Sequence, residues 1–235
     1  MQRIFQTSDQ LCRYVSEISP EVLLSFSLGK DSIAAWLQLR KYFRKVRPYY
    51  LYLIPDLEFV ERELLYYEEW FQEPILRLPH PSLFRMLNNL TFQAPQQCRV
   101  IEDASLPSPT FDHCSRQAAR AFGLSTNTFT ANGVRCVDSL LRRASLKKWG
   151  SLNPRRRSFM PIFDWTMSQL IESFREASIR LPVDYEMFGR SFDGIDERFL
   201  RPIKDRFPDD YARILDWFPL ADLELFRDEL RKTHA

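Results

Sequence analysis

An apolar run, Val22-Leu23-Leu24-Ser25-Phe26, passes through Ser27-Leu28-Gly29-Lys30-Asp31-Ser32 into a segment whose Ile33, Ala34, Trp36, Leu37 and Leu39 share one helical side. A run without alternation suits a strand buried on both faces, and the 3.6-residue spacing after the turn suits a helix that covers such a strand. Strand, tight loop and helix in this order predict a parallel sheet with crossover helices, the α/β class. The rest of the first two thirds repeats the alternation. Residues 9–18 read as an opening helix, 49–54 as a second strand, and 57–71 as a helix with Leu57, Val60, Leu64, Tyr67 and Phe71 on one side. Residues 74–78 read as a third strand, 115–122 as a helix stopped by Gly123, and 127–131 as a fourth strand leading into Asn132-Gly133-Val134-Arg135. The proline-rich stretch 81–112 reads as an irregular insertion. Thr166 and Gln169 have the spacing of a capping box, residues 183–206 read as mixed loop and short helix, and two helices separated by Phe218-Pro219 close the chain.

Composition narrows the class further. With 235 residues, the chain is expected to form one large domain with an appendage, divided here as 1–182 and a helical extension, 183–235, packed on it. A hydrophobic share of 45% with 27% charged residues excludes a disordered or disulfide-stapled chain. No apolar stretch approaches the roughly 20 residues of a membrane span. The segment Met1-Gln2-Arg3-Ile4-Phe5-Gln6-Thr7 has no apolar core of a secretory signal, so a cytoplasmic location without membrane association is expected. Cys12, Cys98, Cys114 and Cys136 are scattered without a C-x-x-C pair, which predicts reduced thiols and no protein-held metal. The formal charge of +2 excludes a polycation, but the distribution is uneven. Arg142, Arg143, Lys147, Lys148, Arg155, Arg156 and Arg157 fall in a stretch with no acidic residue between Asp138 and Asp164. This stretch is either a solvated loop or a nucleic-acid or partner surface, with Trp149 placed to stack among the cations.

The loop at 27–32 carries the chemistry. At the end of a buried strand and the start of a helix it gathers backbone N–H groups, hydroxyls and an ammonium where the helix dipole is positive, which makes an anion cradle. The spacing is neither G-x-x-x-x-G-K-[ST] nor G-x-G-x-x-G. Both Lys30 and Asp31 sit in a loop, so replacing either is expected to leave the fold intact.

Ser27-Leu28-Gly29-Lys30-Asp31-Ser32 resembles the S-G-G-x-D-S pyrophosphatase loop (PP-loop) of the adenine nucleotide alpha hydrolase superfamily, with Leu28 in place of the first glycine. Two downstream segments are similar to motifs of its phosphoadenosine phosphosulfate (PAPS) reductase-like family. Gly133-Val134-Arg135-x-x-Asp138-Ser139-x-x-Arg142 matches G-x-R-x-x-E-S-x-x-R, and Pro161-Ile162-Phe163-Asp164-Trp165-Thr166 matches P-I-x-D-W-T.

The resemblance, covering about residues 20–190, implies a Rossmann-like parallel sheet of about five strands with helices on both faces. It implies that Ser25, Ser27, Gly29, Lys30, Asp31 and Ser32 hold the phosphates of ATP or a related adenine nucleotide. Arg135 would contact the terminal phosphate, Leu53 and Ile54 would lie by the adenine, and Mg²⁺ would arrive with the nucleotide. Lys30, Asp31 and Arg135 would then be the catalytic groups of an ATP pyrophosphatase that adenylates an acceptor. Relatives act in DNA phosphorothioation or beside ParB-like proteins in phage and mobile-element operons, so DNA, RNA or a ParB-like protein are the implied partners. Reductases of the family carry a C-terminal nucleophilic cysteine, and no cysteine follows Cys136, so PAPS reduction is not expected. The competing reading is a non-catalytic nucleotide-binding module, and the sequence leaves the oligomeric state open.

Overall fold

The computed structural model describes residues 4–233; Met1, Gln2 and Arg3 of the segment read for a signal, and the last two residues, lie outside them. In chain order the elements are α1 (Ser8–Ile18), β1 (Glu21–Phe26), α2 (Lys30–Leu39), β2 (Lys45–Tyr52), α3 (Glu58–Phe71), β3 (Leu76–Pro79), α4 (Pro81–Asn88), α5 (Pro95–Ala104), α6 (Phe111–Ala121) and β4 (Thr130–Asn132). A 3₁₀ turn (Cys136–Asp138) leads to α7 (Leu140–Trp149), β5 (Leu152–Asn153), β6 (Ser158–Phe159), α8 (Met167–Ala177), α9 (Val183–Phe188), α10 (Glu197–Arg206), α11 (Pro208–Trp217) and α12 (Leu223–Thr233).

The sheet runs β3-β2-β1-β4-β6-β5. β1 pairs parallel with β2 and with β4, and β4 pairs parallel with β6, while β5 returns antiparallel on β6. This is the expected α/β architecture, with the short β5–β6 hairpin added at one edge. Side chains alternate across β1, so Leu23 and Phe26 point to opposite faces. Leu23, with Tyr49 of β2, packs on Ala118 and Ala119 of α6. Phe26 meets Phe71 edge-on, and Phe71 stacks on Trp36 of α2 at 3.9 Å. Helices therefore cover both faces. α2 is buried from Ser32 to Leu39, so the helix that starts at the loop is fixed along its whole length.

By contacts the chain divides into two compact units. The first comprises 1–51, 68–78 and 112–181 and holds the sheet; the second comprises 52–67, 79–111 and 182–235. Within the second unit, Phe59 of α3 packs against Phe188, Phe192 and Phe207, with Phe199 closing on Phe188 and Phe192. Asp210 of α11 is buried and accepts the Glu58 and Phe59 N–H groups at 2.6 and 3.0 Å, which satisfies the open amides at the start of α3.

Residues 81–112, expected to be irregular, hold α4, α5 and the first two residues of α6. Pro81 and Pro95 stand in the first helical turn, where a missing N–H costs nothing, so here proline starts helices. Residues 183–206 likewise hold α9 and α10, the latter with Pro202 inside it. No helix of the described residues is long and apolar enough to cross a membrane.

Candidate functional site

The strand order defines where a ligand fits. From β1 the chain moves outward to β2 and β3, then returns to place β4 on the other side of β1. The order reverses between β1 and β4, and in open α/β sheets the crevice beyond the carboxyl ends of two such strands is the preferred ligand position. Both sequence motifs leave the sheet there, since β1 ends one residue before Ser27 and β4 ends one residue before Gly133.

Leu28 adopts φ +56°, the left-handed turn a glycine would make, and its side chain is buried. A bulky residue costs about 1–2 kcal/mol in that conformation, so the loop keeps its shape against strain. Gly29 caps α2 in extended conformation and brings no side chain to the helix end. Ser32 closes the loop from inside: its hydroxyl donates to the Gly29 carbonyl at 2.8 Å and accepts the Ser27 N–H at 3.2 Å. The Ser27 hydroxyl lies 3.3 Å from the same oxygen, and Ser27 itself is exposed. Ser25, half-buried in β1, hydrogen-bonds the Tyr49 phenol, whose pKa burial pushes up to about 12.

Lys30 Nζ is 3.1 Å from Asp31 Oδ2. Asp31 Oδ1 accepts Arg135 Nε at 2.7 Å, Arg135 Nη2 donates to Asp138 Oδ1 at 2.7 Å, and Asp138 Oδ2 accepts Arg142 Nη1 at 2.8 Å. Charges alternate from the β1–α2 junction to α7. Arg135 is only 1% exposed, and among the described residues its Nη1 has no hydrogen-bond partner. The side chain is thus enclosed behind Asp31. Removing Asp31 would leave the Nε of the buried Arg135 without its acceptor and Asp138 as its remaining carboxylate partner, so this carboxylate in the first turn of α2 is also structural, whereas the Lys30 side chain is partly exposed.

The three motif segments converge. A Cβ placed on Gly133 would lie 2.7 Å from the Asp31 carbonyl carbon and 2.8 Å from Ser32 N, so the β4 loop rests directly on the first turn of α2. The Cys136 N–H donates to the Phe163 carbonyl at 2.9 Å, which ties the third segment to the second. Asp164 accepts the Ser8 N–H at 3.2 Å and the Ser8 hydroxyl at the start of α1, and Thr166 with Gln169 forms the expected capping box of α8. Asp164 thus anchors the start of α1, and Thr166 with Gln169 the start of α8.

Leu53 and Ile54 are buried immediately after β2 and belong to the second unit. His80, in the same unit, caps α4: the Ser82 N–H donates to its Nδ1 at 2.9 Å. Burial, helped by Arg85, holds the imidazole pKa below its ordinary value. The cap needs the neutral ring, so its contribution is complete above the unfolded imidazole pKa near 6.5 and is lost as the pH falls through the lower folded value. His80→Asn, which caps without titrating, is expected to remove part of the fall in melting temperature between pH 7.5 and 5.5, measured by thermal melts. Among the described residues no three His, Cys, Asp or Glu side chains gather to hold a metal ion, and all four cysteines are free thiols.

The basic stretch divides between two sheet edges. β6 runs parallel to β4, with Ser158 opposite Thr130, so the Pro154-Arg155-Arg156-Arg157 turn before it lies at the amino edge. Asn132 pairs with Ser25, so the β1–α2 loop lies at the carboxyl edge, where α7 also ends: Leu152 of the antiparallel β5 faces Phe159. α7 carries Arg142, Arg143, Lys147 and Lys148 and buries none of its residues. Leu140 and Leu141 are 79% and 83% exposed. A cavity of about 1480 Å³ runs between the two edges.

No known family profile and no curated protein matches the sequence. Solved structures similar to this chain at low identity include the following. PAPS reductase from Candida auris, in its phosphate complex, is 10% identical over 80% of this chain and 87% of that one, with a TM-score of 0.49. The U34-tRNA thiolase of Methanococcus maripaludis, with its [4Fe-4S] cluster, is 11% identical over 92% and 79%, with a TM-score of 0.44. The NH₃-dependent NAD synthetase of Campylobacter jejuni, in complex with nitrate, is 13% identical over 94% of both chains, with a TM-score of 0.44.

Proposed function

We propose that this chain is a PAPS reductase-like PP-loop ATP pyrophosphatase, which binds ATP at the β1–α2 loop and adenylates an acceptor oxygen. The observation that carries the reading is the meeting of the two loops at the β1/β4 reversal, where Gly133 rests on Asp31 and Ser32 while Arg135 grips Asp31. Uncapped helix amides, the Ser27 hydroxyl and the Lys30 ammonium offer an anion donors of one kind. The enclosed Arg135 Nη1 lacks an acceptor, which a phosphate drawn into the loop would supply.

In this reaction the acceptor oxygen bonds to the α-phosphorus, the P–O bond to the β-phosphate breaks, and pyrophosphate leaves with its charge held by the loop amides and Lys30. Asp31 orients Lys30, and Arg135 holds Asp31. Magnesium, carried by the triphosphate, would neutralise the leaving pyrophosphate. The cations of α7 and of the 154–157 turn favour a nucleic-acid acceptor, DNA or RNA, adenylated so that sulfur can replace the oxygen. This is a role of the kind found in phage or mobile-element systems, with a ParB-like protein as the competing partner.

Wild-type protein given ATP and magnesium, with and without single- and double-stranded DNA and RNA, should release pyrophosphate and not orthophosphate, and ATP should raise its melting temperature. Stabilisation without pyrophosphate under every condition would select the non-catalytic module. Absence of stabilisation would overturn both readings.

A further inference from the structure

The face of a parallel sheet is normally covered by apolar crossover helices, yet the face formed by β4 and β6 is open. Thr130 and Asn132 of β4 and Ser158 of β6 form the floor of the large cavity, and hydroxyls and an amide stand where aliphatic side chains would be expected. α6 packs on this face against Leu23 and Tyr49, with Leu51, Leu76 and Leu78 beside them, and α7, next in the chain, buries no residue. The opening is a groove along the strands. Along β4 it follows Thr130 to Asn132, two residue steps or about 7 Å at about 3.3 Å each, and Thr128 before the strand also lines it. At about 1480 Å³ it exceeds the roughly 300–1,000 Å³ of small-molecule pockets.

Its charge is mostly positive. Arg116 on one wall and Arg155, Arg156 and Arg157 at the amino edge face Asp112, the only carboxylate among the described residues that line it. The arginine turn is built rather than loose. Asn153 Oδ1 accepts the Arg156 N–H at 3.0 Å, the Arg157 carbonyl accepts the Thr130 N–H at 2.8 Å, and the Arg157 guanidinium lies 5.1 Å from the Phe129 ring centre. At the other end Trp149, 61% exposed, lines the groove with the Lys148 ammonium 4.8 Å from its ring centre. The arginine turn lies at the sheet edge opposite the phosphate loop, so it serves a ligand long enough to cross the groove.

We infer that this groove binds a single-stranded polynucleotide, with phosphates on Arg116 and the 155–157 turn and an unpaired base stacked on Trp149. A chain of phosphates matches the row of arginines, amides and hydroxyls suit base edges, and an exposed indole beside a cation is a stacking platform. A duplex about 20 Å across does not enter a slot on a sheet face, and its bases are closed to Trp149. The strand would leave the groove at Asn132, on the same edge as the phosphate loop. The inference rests on the nucleic-acid acceptor proposed above and specifies it as unpaired.

The test is fluorescence anisotropy with labelled 20-mers of dT and of rU and a 20-base-pair duplex, without ATP, at 50 and 200 mM salt. Both single strands should bind at least tenfold more tightly than the duplex. Four phosphate contacts at about 0.7 each give a log-log salt slope near 2.8, about a fifty-fold loss between the two salt concentrations. Arg155→Ala with Arg156→Ala, which leaves Arg157 on Phe129, should halve that slope. Trp149→Ala should weaken binding about tenfold with the slope unchanged, and Trp149→Phe should restore most of it. Preference for dT over rU, or the reverse, identifies the natural strand. Equal or tighter duplex binding, no binding by the wild type, or arginine and tryptophan variants that bind like wild type would each overturn the inference. Lys30→Ala should bind the strands normally, so loss of pyrophosphate release and loss of strand binding are separate outcomes.

Discussion

Lys30→Ala is expected to lower pyrophosphate release from ATP by about 10²-fold or more and to abolish ATP-dependent thermal stabilisation, while the melting temperature without ATP stays within about 1 °C. Losing one fixed donor to a developing charge typically costs 10²–10³-fold, and the Lys30 side chain is partly exposed at the start of α2, ahead of the buried run from Ser32 to Leu39. Asp31→Ala should differ. It too should stop pyrophosphate release, but it removes one of the two carboxylate acceptors of an enclosed guanidinium and so should destabilise the apo protein by about 1.5–3 kcal/mol. Asp31→Asn, which retains an oxygen for Arg135 Nε, should recover most of that stability and little of the activity. Coupled pyrophosphate assays and melts with and without ATP distinguish these outcomes. A Lys30→Ala protein that still binds and turns over ATP like wild type would reduce the loop to a strand-to-helix turn.

The difference between these neighbouring residues marks where sequence reasoning ends. Periodicity located β1, the loop and α2 because one buried run, one turn and one amphipathic helix are adjacent in the chain, and local pattern suffices. The partner of Asp31 is 104 positions away, and nothing local marks Arg135 as buried, since isolated arginines are mostly exposed. Leu28 is similar: its place in the motif can be read, but not its left-handed backbone, because only the packing of its side chain sustains the strain. The β5–β6 hairpin has two residues per strand, too few for a period of two to show. Without that hairpin the cations at 142–157 form one cluster along the chain, whereas its antiparallel return sends Arg155, Arg156 and Arg157 to the edge opposite the loop. Pro81 and Pro95 misled in another way, because a proline that stops a helix and one that starts it look alike until the following helical turns are seen.

Gly133→Ala is expected to be among the most damaging single-methyl changes in the first unit. Its backbone is not left-handed, so conformational freedom is not the reason for glycine here; the space is. A methyl would approach the carbonyl carbon and oxygen of Asp31 to 2.7 Å and Ser32 N to 2.8 Å, and backbone at the start of a helix has no rotamer by which to escape. α2 cannot withdraw, because it is buried from Ser32 to Leu39. The strain must therefore be relieved in the β4 loop, which shifts Arg135 from Asp31, or in the loop at 27–29. Overpacking of this kind costs about 1–3 kcal/mol, which corresponds to a fall in melting temperature of about 3–10 °C in a chain of this size. ATP affinity should fall more than tenfold, because the helix amides and Lys30 move together. Gly189→Ala offers the contrast: its φ is +71° with open space around it, so only backbone strain of about 1 kcal/mol is added and ATP binding should be unchanged. Melts and nucleotide titrations on the two variants test the argument. A Gly133→Ala protein with wild-type ATP affinity would show that the contact between the two loops is packing without a part in nucleotide binding.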